Sequence, residues 1–331
     1  MPDTAEFENL TRPYRAELLA HSYRMLASIH DAEDAVQDTY LRAWRGYDRF
    51  AGRSSLRTWL YRIATNTCLR ALENRGRRAM PTGLGGPAPD PAAHLSQWPE
   101  LPWLEPLPDG MVAGSRPGTN DPAEAVGHRH QVRLALIATL QHLPPRQRAV
   151  LILREVLEFS AAEVAEMLQI SASAVHSLRQ RARDQLTRAE LHAEDIVEPG
   201  SAPERELLEE YVRAMQDYDI ASLIAVFTRD AIWEMPPFPA WFQGAGAIGQ
   251  MVAAQSPAQG PGDHLLVPTA ANGQPAFGLY LPDEQGTHRA FNVQVLRLTP
   301  AGISHVACFF DLRLFARFGL PESVPAPSPP R

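Results

Sequence analysis

The sequence predicts a multidomain chain: two all-α domains joined by a proline-rich segment, followed by an α+β domain. Three observations carry this. Apolar residues recur at helical spacing through 6–78 and again through 128–190. Between those stretches, 79–127 loses the periodicity and fills with Pro, Gly and Ala. Beyond 204, helices give way to runs that alternate apolar and polar as strands do, an α+β order. With 331 residues there is material for two or three cores.

In the first domain, Leu10, Tyr14, Leu18 and Ser22 follow one helical face that leads into Tyr23, Met25 and Leu26. His30-Asp31 opens a second helix, AEDAVQDTYLRAWRGY, with Val36, Tyr40, Ala43 and Tyr47 inward. Its outward residues are Glu33, Asp34, Gln37, Asp38 and Arg42; an acidic face of this kind is most often simply solvated. After Gly52-Arg53-Ser54-Ser55, either serine caps a third helix, LRTWLYRIATNTCLRALENRGRR. Leu56, Leu60, Ile63 and Thr67 form its buried side. The other side interleaves Arg57, Tyr61, Arg62, Asn66 and Arg70, and the helix ends in Arg75, Arg77 and Arg78. Basic and aromatic residues mixed on one face suit phosphate contact with base stacking, although Trp and Tyr at this spacing also serve as core.

The segment from Met80 to Asn120 reads as a linker, semi-extended by its prolines. Inside it lies an apolar island, Trp98-Pro-Glu-Leu-Pro-Trp103-Leu104-Glu105-Pro106. Two tryptophans predict a segment that docks; the alternative is incidental hydrophobic residues in a spacer. In the second helical domain, Pro144 and Pro145 suit a helix start, and Val150, Leu151 and Leu153 form an apolar stripe. Ser160-Ala-Ala-Glu163 is a capping box opening a short helix with Val164, Met167 and Leu168 inward. After a Gln169-Ile170 turn, Ser171 or Ser173 caps the last helix, where Val175, Leu178, Ala182 and Leu186 face a core. His176, Ser177, Gln180, Arg181 and Arg183 stay outside. Two short helices joined by a tight turn, the second arginine-rich outside, fit a helix-turn-helix. A three-helix bundle with a solvated charged face has the same periodicity.

Residues 191–203 form a hinge, and Ser201-Ala-Pro-Glu204 caps the helix ELLEEYVRAMQDYD. Helices at Ile220–Phe227 and Gly244–Gln255 bracket the strand AIWEMPP, and HLLVPTAANG, PAFGLYLP, HRAFNVQVLRL and GISHVACFFDL continue as strands. The tail from 319 to 331 reads as disordered. The net charge of −7 argues against a uniformly basic nucleic-acid coat, so DNA contact must be local. All 31 basic residues are arginine, and the two cysteines, Cys68 and Cys308, are far apart, as in a reducing cytoplasm. No signal peptide or membrane-spanning run is read, so the expected location is cytoplasmic.

The blocks AEDAVQDTYLRAW, SLRTWLYRIATNTCLRAL, LPPRQRAVLILREV and ISASAVHSLRQRAR resemble the sigma-70 family, in particular its extracytoplasmic-function (ECF) group. The resemblance covers roughly 6–78 (sigma region 2) and 128–190 (sigma region 4). It implies core RNA polymerase and promoter DNA as partners. Asp34, Gln37, Asp38, Leu41 and Trp44 match the surface that docks on polymerase. Phe50, Arg53, Ser54, Trp59, Arg62 and Asn66 match the part that captures and opens the −10 element. Ser173, His176, Ser177, Gln180, Arg181 and Arg183 match positions that read the −35 element. Many relatives carry arginine then an aliphatic residue where this chain has Leu178-Arg179, which leaves the base contacts open.

The island with Trp98, Trp103, Leu104, Glu105 and Pro106 is similar to a linker motif of ECF factors that carry an extra C-terminal domain, and is expected to be regulatory. The phrases FTRDAIWEMPPFPAWFQG, PTAANGQPAFGLY and HVACFFDLRLFARFGLP resemble a SnoaL-like domain, the cone-shaped fold of polyketide cyclases, over 204–318. Tyr211, Trp233, Met235, Trp241, Asn272, His305 and Asp311 are the expected pocket residues, with a small molecule as expected occupant. No acid–base pair stands out, so no catalytic residue, metal or cofactor is assigned, and the domain is read as regulating the sigma factor in cis. The alternative is a bifunctional protein whose last domain turns over a small carbonyl compound. The sequence names no anti-sigma partner.

Overall fold

The computed structural model describes residues 4–50, 52, 54–73, 76–112, 132–188, 197 and 199–325. The chain divides into two compact units, one made of 1–78 with 104–191 and the other of 79–103 with 192–331.

The first unit begins with α1 (Thr4–Thr11), α2 (Arg15–Leu26), α3 (Ile29–Gly46) and α4 (Leu56–Glu73). Ala27, in the left-handed region at φ 54°, ends α2, and Ser28 caps α3 by accepting the Asp31 N–H. That cap starts α3 one residue before the expected His30. Leu18, Tyr23, Met25, Val36, Leu60 and Tyr61 are buried in its core. Glu17 is buried but paired, accepting from Tyr61 Oη at 3.0 Å and Arg57 Nε at 3.1 Å. Residues 104–112, expected as linker, belong to this unit: Leu104 and Leu107 are buried, and the Glu105 carboxylate accepts from Ser28 Oγ at 2.7 Å.

The same unit contains α5 (Leu134–Leu140), α6 (Pro145–Leu151), α7 (Ala161–Leu168) and α8 (Ala172–Arg188). A π turn over Ile152–Val156 extends α6. The Ser160–Glu163 capping box opens α7, and Gln169 at φ 54° makes the turn to α8. Arg148, 2% exposed, spans the bundle: its guanidinium donates to Gln141 Oε1, to the Gln141 and Leu143 carbonyls, and to the Met25 carbonyl of α2.

The second unit holds α9 (Ala202–Gln216), α10 (Ile220–Ala225), β1 (Phe227–Glu234), β2 (Trp241–Gln243), α11 (Ala245–Gln255), β3 (Leu265–Ala271), β4 (Gln274–Pro282), β5 (His288–Thr299), β6 (Gly302–Phe309), α12 (Arg313–Arg317) and β7 (Ser323–Val324). The sheet order is β2-β1-β6-β5-β4-β3, antiparallel except for the β1–β6 pair. Tyr211, Met215, Leu223, Ile248, Met251 and Trp233 share one core, so α9–α11 cover one face of this sheet. Gly302 has to be glycine: at φ 130°, a Cβ there would meet the Val226 carbonyl at 2.7 Å.

Two expected segments differ. Residues 79–103 do not run free. Thr82 N donates to Glu234 Oε2 at 3.0 Å, Trp241 Nε1 to the Gly85 carbonyl at 2.9 Å, and Trp98 N to the Pro237 carbonyl at 2.8 Å. Residues 319–325, read as the start of a disordered tail, close the sheet instead. Leu320 is buried, Tyr280 Oη donates to the Pro321 carbonyl at 2.9 Å, and β7 pairs β5. Residues 326–331 lie outside the described ones, as do 113–131 of the expected linker and domain start and most of the 191–203 hinge. No helix of the described residues is long and apolar enough to cross a membrane.

Candidate functional site

Helix α3 buries Ala32, Ala35, Val36, Thr39 and Ala43. The 3.6-residue period therefore leaves Asp34, Gln37, Asp38 and Leu41 exposed along one stripe. Leu41 is 54% exposed, a large apolar side chain left in solvent among acids. Trp44 instead is half-buried, edge-on to Phe7 at 5.3 Å between centroids.

Helix α4 carries the next cluster. Trp59, 7% exposed, lies against Phe50 with centroids 4.8 Å apart, so it supports the loop ring more than it faces solvent. Ser54 is half-buried and Arg62 exposed; Arg53 lies outside the described residues. A 490 Å³ groove runs past these side chains, lined by Arg42, Arg49, Arg62 and Arg70 around Trp59 and Asn66. Four guanidinium groups around one groove give it the chemistry that suits phosphate contact. Sequence reading missed Arg49 and did not group Arg42 with Arg70. They come from different elements, and only the packing of α3 against α4 joins them. One wall is not from this bundle at all: Asn66 Nδ2 donates to the Met167 carbonyl of α7 at 3.1 Å. Arg57 also sits over the Phe159 ring at 4.8 Å, and Tyr61 meets the same ring edge-on at 5.2 Å.

On α8, Val175 and Ala182 are fully buried while Ser173, His176, Ser177, Gln180, Arg181 and Arg183 are exposed. Ser177 Oγ bonds the Ser173 carbonyl, and Gln180 Nε2 donates to Asp184 Oδ1 at 2.8 Å. Arg183 pairs with Glu155 at 2.7 Å, and Arg179 pairs with the same carboxylate. Partial burial works against the charge of Glu155, yet the two arginines hold its carboxyl below the usual range.

The second unit holds a half-open 280 Å³ cavity between its sheet and helices. Of the expected pocket residues, Trp233 and Met235 line it. Tyr211 lies behind the lining, its hydroxyl donating to Gln294 Oε1 at 2.7 Å. The other four are elsewhere. Trp241 holds Gly85, Asn272 makes the β3–β4 turn at φ 58°, and Asp311 pairs with Arg313 at 2.7 Å. His305 Nε2 bonds Glu234 Oε1 at 2.7 Å, away from the cavity lining. Burial opposes ionisation of Glu234, but His305 and the Thr82 N–H together hold its carboxyl below the ordinary range.

Family models for sigma-70 region 2 and sigma-70 region 4 match residues 10–78 and 133–186. Over 323 residues the chain is 52% identical to the ECF RNA polymerase sigma factor SigG of Mycobacterium tuberculosis, covering 96% of this chain and 85% of that one. The chain belongs to the ECF RNA polymerase sigma factors. It is 26% identical over 267 residues to SigJ of the same organism, covering 78% of this chain and 75% of that one. The crystal structure of SigJ superposes with a TM-score of 0.61 at 22% identity, covering 96% of this chain and all of that one, which shows a common fold. In this sigma factor the helical unit carries regions 2 and 4, and the second unit adds a C-terminal α+β domain.

Proposed function

We propose that this sigma factor docks on core RNA polymerase through the α3 stripe of Asp34, Gln37, Asp38 and Leu41, with Trp44 as its half-buried support. Residues 6–78 open the −10 element: Phe50, Arg53 and Ser54 take the flipped base, while Arg62 and Asn66 with the neighbouring arginines hold the strand. Residues 128–190 read the −35 element through Ser173, His176, Ser177, Gln180 and Arg181. The function is exercised in the cytoplasm, and the SnoaL-like domain, 204–318, controls it in cis.

The observation that carries the regulatory reading is the seating of the linker. The chain between regions 2 and 4 is held by Glu234, Trp241, Pro237 and Gln255, the last donating to the Pro91 and Ala93 carbonyls. The stretch 79–103 is thereby bound to the SnoaL-like domain rather than left as a free spacer between regions 2 and 4. A binding role for the cavity, rather than turnover, is supported by its lining, which contains no carboxylate. The test is promoter-specific transcription with core polymerase, comparing the full chain, a chain ending at Glu198, and Trp241→Ala. The expected result is a change of promoter output in both variants; identical output from all three would make the domain a passenger.

A further inference from the structure

The SnoaL-like cavity is apolar over most of its wall, with Met215, Met235, Met251, Phe291 and Phe310 among its lining. Most polar groups around it are already engaged. Gln294 accepts from Tyr211, and His264 is held between Ser256 Oγ at 2.8 Å and the Met215 carbonyl at 3.0 Å. Two are not. Trp233 and Asn292 are both lining residues, only 4% and 3% exposed, and their Nε1 and Oδ1 atoms are buried with no hydrogen-bond partner. Buried polar atoms in folded proteins are nearly always satisfied, so a donor and an acceptor left open in one cavity point to an absent occupant.

We infer that this cavity is a binding site for an apolar small molecule carrying a hydroxyl group, an alkylphenol-like or long-chain alcohol-like ligand. A hydroxyl accepts from the Trp233 indole N–H and donates to the Asn292 carboxamide, and it serves either orientation of that amide. A hydrocarbon of the same size satisfies neither, and the lining holds no carboxylate or guanidinium to pair with a charged ligand. The size, 280 Å³, is near the lower end of small-molecule pockets.

The site has a further consequence. His94 and Leu95, part of the chain that joins regions 2 and 4, form a piece of the cavity wall, and Gln255 of α11 holds Ala93 beside them at 2.9 Å. An occupant therefore contacts the linker directly and stabilises its seating. This deepens the regulatory reading above and rests on it only for the effect on transcription.

The test uses the full chain and 4-alkylphenols from ethyl to hexyl, each paired with the alkylbenzene that lacks the hydroxyl, titrated by calorimetry. The expected result is binding of at least one phenol about tenfold or more tighter than its hydrocarbon partner, the scale of one to two net hydrogen bonds. Trp233→Phe with Asn292→Leu should abolish the difference while the hydrocarbon still binds. Met251→Trp should fill the space and abolish both. Hydrogen exchange of the 88–96 backbone should slow when the phenol is bound. Equal affinity of every phenol and its hydrocarbon, or no binding of either across the series, overturns the inference and needs no variant to fold. Transcription is read in parallel. A phenol that binds selectively without altering promoter output sinks the regulatory reading and leaves the site standing.

Discussion

Phe159→Leu should open the helical unit. Phe159, 4% exposed, is the region 4 side chain on which two region 2 residues close: Arg57 over its face at 4.8 Å and Tyr61 at its edge at 5.2 Å. Both are on α4, the helix that carries Arg62 and Asn66. Leucine keeps most of the buried volume, so region 4 should still fold, but it loses the ring quadrupole. The edge-to-face pair is worth about 0.5–1.5 kcal/mol and the cation–π contact about 0.5–1 kcal/mol. A combined loss of roughly 1–2.5 kcal/mol lowers the closed-to-open ratio roughly five- to seventyfold. On a promoter the two regions must sit more than two duplex turns apart, on the order of 70 Å. The Asn66–Met167 bond at 3.1 Å is incompatible with that separation. Dyes at Glu8→Cys and Asp184→Cys, both exposed positions, report the opening. The native thiols do not compete, because both are buried and burial pushes Cys68 up to about 12. Energy transfer should fall and promoter-bound complex should form at lower sigma concentration. An unchanged transfer distribution in a folded Phe159→Leu chain would refute the reasoning.

Two further outcomes follow from the geometry. Arg181→Ala should weaken −35 binding by about 1–3 kcal/mol if the guanidinium reads a base edge; if it meets only phosphate, the loss should be equal on all sequences and the salt slope should fall by about one unit. Filter binding at several salt concentrations separates the two, and full retained affinity removes Arg181 from the interface. His21 predicts acid sensitivity. Burial, then Arg24 and Arg57, push it down to about 3 from 6.5, so it stays neutral beside Thr65 while the unfolded chain takes up a proton. Stability is therefore complete above pH 6.5 and is lost as pH falls toward 3, by about 2 kcal/mol between pH 7 and pH 5. Urea melts of the chain and of His21→Gln should diverge over that interval; parallel curves would show that another group titrates.

Much of the helical architecture was legible because helix caps and apolar periods are local. Ser160 and Glu163 sit three residues apart, and that spacing alone makes the capping box. The exposed residues of α3 and α8 follow from the same 3.6-residue period. Less was legible where function depends on pairing distant elements. The groove needs Arg42 and Arg49 from one side and Arg62 and Arg70 from another, and no spacing in the chain links 49 to 62. The cavity shows the same limit more sharply. Trp233 and Met235 were expected from the resemblance to a SnoaL-like pocket, but Asn292 and Leu95 reach the lining through sheet order and linker seating. Composition misled about 79–112 in a specific way. Prolines and glycines remove periodicity, so the stretch looked like a spacer, yet backbone groups at Thr82, Gly85, Ala88, Pro91, Ala93 and Trp98 find partners on Glu234, Trp241, Gln255 and Pro237.

The Leu178-Arg179 departure from the family pattern acquires a physical meaning on α8. An arginine where an aliphatic residue is usual would either face the core uncompensated or turn outward toward DNA. Here it does neither: Arg179 is half-buried and spent on Glu155, which also takes Arg183. One carboxylate of the region 4 π turn thus neutralises two of the arginines on α8. Its carboxyl is held below the usual range, so the neutralisation persists at any physiological pH. On the proposed −35 reading, and among the described side chains of α8, Arg181 is then the arginine left to DNA, with His176, Ser177 and Gln180 exposed beside it. Sequence preference at the −35 element should accordingly depend on few charged contacts. Glu155→Gln should release Arg179 and Arg183 toward phosphate, raising affinity for all DNA while lowering the ratio between promoter and non-promoter sequences. Competition binding with random duplex measures that ratio directly; a ratio unchanged in Glu155→Gln would mean the freed arginines never reach the backbone.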